Sequence, residues 1–236
     1  MVLLFDVKIM ACYERKTIVD KMINDIGGKV EVFYDDRIER FGTSYTQIKC
    51  LESLFEDGIT HRCLLQDDLE ICDDFRNHLS EIISLFPNAI LTLFCSRLSK
   101  RDLESKANFV YISGYNTWGP GNVFPKWMIP KMLEWRNKNI PDHPYDDSLY
   151  WLFAKEFKIP IITTIPSLIQ HLCPINSLLG YNNKLKVSKV WIGKDLSNVN
   201  WDSNKIITRN LPCTSTLARE QQMLKNWKEG KGWRAT

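Results

Sequence analysis

Apolar and polar positions along the first hundred residues repeat one figure. Residues 7–12 form a short apolar run; 16–26 then carry Ile18, Val19, Met22, Ile23 and Ile26 at helical spacing, until Gly27 and Gly28 stop the pattern. Residues 29–34 alternate through Val30, Val32 and Tyr34, as a half-buried strand does, and end at Asp35-Asp36. The spacing next predicts a helix over 46–55 and a third strand over 62–66 that runs into Asp67-Asp68. A helix over 73–86, opened by paired acids that suit its positive end, and a strand over 89–94 complete the series.

Strand and helix alternating at this spacing predict βαβ units. The fold class expected is α/β: a single Rossmann-like domain with a mainly parallel central sheet and helices on both faces. Ligands of such sheets sit at the carboxyl ends of the strands. Three polar clusters fall there: Tyr13-Glu14-Arg15, Tyr34-Asp35-Asp36 and Gln66-Asp67-Asp68. The second half is less regular. It predicts an extended 109–113, a loop over 114–123, a helix opened by Pro125, a helix over 145–157, a strand over 159–163 and a turn at Ile165-Pro166-Ser167-Leu168. Neither a GxGxxG nor a GxxxxGK motif occurs, so phosphates need neutralising by something other than a glycine-rich loop.

Composition narrows the class. With 44% hydrophobic and 25% charged residues among 236, the chain is neither disordered nor fibrous. The longest apolar run, 82–94, is broken by Pro87 and Asn88 and falls short of the roughly 20 residues of a membrane helix. Asp6 interrupts the apolar amino terminus where a signal peptide would continue, so a cytoplasmic protein without membrane contact is expected. Seven cysteines, Cys12, Cys50, Cys63, Cys72, Cys95, Cys173 and Cys213, lie far apart and mostly within apolar runs, which suggests buried thiols.

Charge divides the chain. Residues 1–180 hold 20 basic and 24 acidic groups, a net −4, whereas 181–236 hold 11 and 4, a net +7, together with Trp191, Trp201, Trp227 and Trp233. The domain reading is therefore a main domain over 1–180, with a nucleotide half near 1–100 and an acceptor half near 101–180, and a basic, Trp-rich segment over 181–236 packed on it.

Three constellations carry candidate chemistry. An aspartate pair directly after a buried strand, Asp67-Asp68, supplies the hard oxygens that a divalent cation bridging two phosphates requires. His171, in Pro166-Ser167-Leu168-Ile169-Gln170-His171, follows a strand and tight turn; an imidazole beside carboxylates suits Mn2+ or Mg2+. Asp146 and Asp147 open a helix, where acids serve as caps, and an acid there can also be a general base; only one of the two can take that role.

The order Ala11-Cys12-Tyr13-Glu14-Arg15, Tyr34-Asp35-Asp36, Leu65-Gln66-Asp67-Asp68, Gly114-Tyr115-Asn116-Thr117-Trp118-Gly119, Tyr145-Asp146-Asp147 and Pro166 to His171 resembles nucleotide-sugar-dependent glycosyltransferases of the GT-A fold, especially small stand-alone enzymes of bacteriophages and bacteria. It spans about residues 5–202, including Ser188 to Gly193 and Asn200-Trp201. The resemblance implies that Ala11, Tyr13, Arg15 and Gln66 belong to the nucleotide-sugar site, with Tyr13 and Arg15 bordering the nucleotide. Asp35 or Asp36 would read the base or ribose, Asp67 would touch the ribose or sugar, and Trp118 would line the sugar pocket. Asp68 and His171 would ligate the metal, and Asp147 would be the base. The chain departs from the family's spaced Asp-X-Asp by reading Asp67-Asp68-Leu69-Glu70.

The expected activity is transfer of a sugar from a nucleoside diphosphate sugar, a uridine one, to a hydroxyl with inversion. For the acceptor, the basic residues Lys184, Lys186, Lys189, Lys194, Lys205, Arg209, Lys225, Lys228, Lys231 and Arg234, interleaved with tryptophans, suit a nucleic-acid track. A hydroxymethylated pyrimidine in phage DNA is the acceptor this implies; a surface glycan or a protein hydroxyl is the competitor. A sugar-phosphate nucleotidyltransferase would need a glycine-rich loop that Cys12-Tyr13-Glu14-Arg15 lacks. A non-enzymatic nucleic-acid-binding module would use the carboxylate pairs only as caps.

Overall fold

The computed structural model describes residues 4–37, 43–113, 119–144, 146–172, 187–211 and 216–230. The strands are β1 (Leu4–Ala11), β2 (Glu31–Tyr34), β3 (Ile59–Gln66), β4 (Leu69–Ile71), β5 (Ile90–Thr92), β6 (Phe109–Ile112), β7 (Gly121–Pro125), β8 (Ile161–Thr164), β9 (Ile169–His171) and β10 (Ile206–Arg209). The helices are α1 (Lys16–Ile26), α2 (Ser44–Glu52), α3 (Phe75–Leu85), α4 (Lys100–Glu104), α5 (Met128–Asn139), α6 (Asp146–Phe157) and α7 (Leu217–Lys228).

Eight strands form one sheet in the order β10, β6, β8, β5, β7, β3, β1, β2, and β4 with β9 makes a separate ribbon. The neighbours β1/β2, β1/β3, β5/β8 and β6/β10 run parallel; β3/β7, β5/β7 and β6/β8 run antiparallel. The period-2 alternation explains the layering. Val7, Ile9, Ala11, Cys63 and Leu65 face α1 and α3, whereas Met10 and Leu64 face α2, α5 and α6.

The carboxyl-terminal quarter enters the sheet itself, since β10 pairs with β6 from Ile206 opposite Phe109 to Arg209 opposite Ile112. Trp201 is buried beside Phe109, with its indole N–H donating to His78 Nδ1 at 3.1 Å. Trp191 packs against the same core, and Lys194, Arg209 and Lys228 form ion pairs with Asp25, Asp102 and Asp142 respectively. Cys50, Cys63, Cys72 and Cys95 are buried thiols as expected, while Cys12 is half-buried; Cys173 and Cys213 lie outside the described residues. Burial pushes the Cys72 and Cys95 thiols up to about 12. Among the described residues no helix is long and apolar enough to cross a membrane.

The main departure from expectation is β7. Residues 121–125 were expected to close a loop and open a helix, yet they form a buried strand between β3 and β5. Its Gly, Asn and Pro hide the strand signal. Asn122 is satisfied in the sheet by the Thr92 hydroxyl, which donates to it at 3.1 Å, and Pro125 stands at the strand's end opposite His61. The helix begins only at Met128.

Candidate active site

Register assembles the site. Ala11 lies opposite Tyr34, and Met10 opposite Gln66, so the carboxyl ends of β1, β2 and β3 stand side by side on one rim. The Asp35 amide donates to the Ala11 carbonyl at 2.7 Å, and the Gln66 amide to the Pro120 carbonyl at 2.9 Å. Just beyond Gln66 the chain folds into the β4/β9 ribbon, in which Leu69 faces His171. The Leu172 amide donates to the Asp68 carbonyl at 2.9 Å, which closes the ribbon and puts Asp68 beside His171 across about a hundred residues of chain.

Asp67 and Asp68 are both buried, at 5% and 4% exposure. The backbone N–H of Cys12 donates to Asp67 Oδ2 at 2.7 Å, and Arg15 Nη1 to Asp67 Oδ1 at 2.6 Å. The same Arg15 nitrogen lies 3.0 Å from Asp68 Oδ2. Asp68 Oδ1 and His171 Nδ1 are 3.5 Å apart, and neither makes a hydrogen bond. Burial disfavours charge on both acids. For Asp67 burial prevails over Arg15 and raises the pKa; for Asp68 the His171 imidazole and Arg15 outweigh burial and hold it below the usual carboxylate range. Arg15 is itself buried, which lowers its pKa, but the two carboxylates more than reverse this.

A buried carboxylate oxygen and a buried imidazole nitrogen, side by side and without hydrogen-bond partners, fit a divalent cation of the Mn2+ or Mg2+ type. Among the described residues no group of three or more His, Cys, Asp or Glu side chains could hold a metal. An ion held by these two groups alone would keep its remaining positions for other oxygen ligands.

Around this pair the other expected residues divide. Tyr13 is 59% exposed and stacks on Tyr34 with ring centroids 4.5 Å apart and planes 7° from parallel, which leaves one aromatic face open at the rim. Asp35 is buried and gripped by Arg37, whose Nε and Nη2 donate at 2.9 and 2.7 Å. Asp36 is turned outward, where the Tyr45 hydroxyl and Lys49 hold its carboxyl below the ordinary range. Gln66 is half-buried at the strand end. Asp147 is half-buried in the first turn of α6. Its place follows from the Ser44 amide, which donates to the Pro144 carbonyl at 3.0 Å and so ties the chain leading into α6 to the start of α2, next to Asp36's partner Tyr45. Trp118 and the side chain of Asp146 lie outside the described residues.

Sequence reasoning missed three supports of the site. The ribbon strands are too short for periodicity to detect, although Leu-Glu-Ile and Ile-Gln-His each alternate. Gly121 leaves the space in which Ile169 packs: a Cβ there would run into Ile169 Cδ1 and come within 3.1 Å of Leu65 Cδ2. Gln170 uses its side-chain amide as a strand would, accepting from the Ser188 N–H at 2.8 Å and donating to the Ser188 carbonyl at 3.0 Å. The Ser188 stretch therefore braces the residue next to His171.

No protein-family model matches this sequence, and neither does any curated protein. Among solved structures, a glycosyltransferase involved in the glycosylation of the major capsid of PBCV-1 is similar at 13% identity and a TM-score of 0.38, over 72% of this chain and 94% of that one.

Proposed function

We propose that this protein is a metal-dependent glycosyltransferase that moves a sugar from a nucleoside diphosphate sugar, a uridine one, to an acceptor hydroxyl with inversion. The observation that carries this reading is the buried pair Asp68 Oδ1 and His171 Nδ1, both lacking hydrogen bonds, at the carboxyl rim of the sheet. These two atoms would hold Mn2+ or Mg2+. Such an ion, when bound, offsets the negative charge that gathers on a departing diphosphate.

The chain's own groups supply the rest. Asp67, held in place by the Cys12 amide and Arg15, would accept from a ribose or sugar hydroxyl through a remaining lone pair. The open face of Tyr13 offers a base a stacking surface near Asp35 and Asp36, which follow its stacking partner Tyr34. Asp147 takes the proton from the acceptor hydroxyl as its oxygen attacks the anomeric carbon. The bond to the diphosphate breaks on the opposite face, so the configuration inverts. Incubation with Mn2+ and a panel of sugar nucleotides tests the reading through slow donor hydrolysis. Neither binding nor turnover with any of them would refute it.

For the acceptor we propose a hydroxymethylated pyrimidine in DNA, on the basis of the net +7 of residues 181–236. Since Trp191 and Trp201 are packed inward, exposed cations such as Lys189, Lys205 and Lys225 would carry the contact. Transfer to DNA containing 5-hydroxymethylated pyrimidines should therefore fall steeply with salt. Transfer only to a glycan or protein hydroxyl would replace this acceptor without touching the donor site.

A further inference from the structure

Arg15 occupies an unusual place. Its guanidinium is nearly buried, at 10% side-chain exposure, and one nitrogen bridges the two acids, 2.6 Å from Asp67 and 3.0 Å from Asp68. It grips Asp68 through Oδ2 and leaves Oδ1 to face His171. A buried carboxylate pair is costly without a counter-charge, and Arg15 supplies that charge in the free protein. A divalent ion on Asp68 would bring two more positive charges against a cation already bound to the same carboxylate.

We infer that Arg15 is a resident counter-cation that keeps the free site from taking metal and releases it to metal when a diphosphate arrives. The diphosphate offers the guanidinium new oxygens, so Arg15 passes from Asp68 to the ligand. Metal and nucleotide then bind as a coupled pair, each raising the affinity of the other by the same factor. Arg15 is here a positioning residue, and this role rests on the metal-site reading given above.

Mn2+ binding followed by electron paramagnetic resonance, with and without uridine diphosphate, tests the inference without turnover. The wild-type protein should bind Mn2+ weakly alone and about 5- to 150-fold more tightly with the nucleotide, the usual size of such couplings. Arg15→Gln should tighten binding of Mn2+ alone, weaken nucleotide binding, and shrink the coupling towards unity. Arg15→Lys, which keeps the charge, should restore weak binding of Mn2+ alone. Binding that depends on Asp68 but shows the same coupling in Arg15→Gln as in wild type overturns the Arg15 role and leaves the metal site standing. Binding unaffected by Asp68→Asn, or no binding with or without nucleotide, overturns both.

Discussion

Asp68 and His171 face one another at 3.5 Å without a hydrogen bond, although, against burial, the imidazole helps to hold the Asp68 carboxyl below its ordinary range. Their value lies in what each leaves open. Asp68→Asn and His171→Ala should each abolish metal-dependent donor turnover, since removing a ligand removes several kcal/mol of charge stabilisation at the transition state. Both should stay folded at the assay temperature but melt somewhat earlier than wild type, since Asp68→Asn weakens the buried pair with Arg15 and His171→Ala removes a buried ring packed edge-on against Phe94. Asp147→Asn should bind the donor normally and lose roughly two to four orders of magnitude in transfer. A larger loss in Asp146→Asn, measured in the same transfer assay, would move the base one residue back.

At the scale of elements, the position of His171 depends on β9 lying in the space above Gly121. Gly121→Ala should cost about 1–3 kcal/mol in urea unfolding, the usual penalty for overpacking, and should weaken metal binding because Ile169 carries the ribbon with it. A second junction is Asp102, which accepts from the backbone N–H and hydroxyl of Ser99 at 2.7 and 2.8 Å and from Arg209 Nε at 2.6 Å. It joins the start of α4 to the edge strand β10. Against burial, the Ser99 donors and Arg209 hold this carboxyl below its ordinary range. Its folded pKa is thus depressed, so its contribution is complete above about pH 4 and disappears as the pH falls through the folded value. Asp102→Ala should lose about 1–2 kcal/mol at pH 7, and the gap from wild type should close at low pH. These elements also mark how far the sequence could be read. Strong periodicity placed α1 at 16–26, and three strand ends located the rim. By contrast β7, β4, β9 and β10 were hidden, because their stability comes from tertiary partners such as Thr92, Gly121, Gln170 and Phe109 rather than from a local pattern.

For the molecule as a whole, the antiparallel insertion of β7 and the return of β10 to the sheet make the late chain part of the same layer that carries the rim. The charge asymmetry was legible in the sequence, but the burial of Trp201 was not, since a tryptophan in a basic segment reads the same whether it stacks on a base or on Phe109. Contact with DNA through cations alone predicts transfer that drops by orders of magnitude between low and moderate salt. The donor site should be indifferent to that change. The most direct test of the site is a crystal of the protein grown with Mn2+ and uridine diphosphate, with the metal located by its anomalous scattering. The expected result is one peak bonded to Asp68 Oδ1, His171 Nδ1 and diphosphate oxygens, with Arg15 turned to the phosphates. A nucleotide seated in another cleft, or a metal bound without Asp68 and His171, would contradict it.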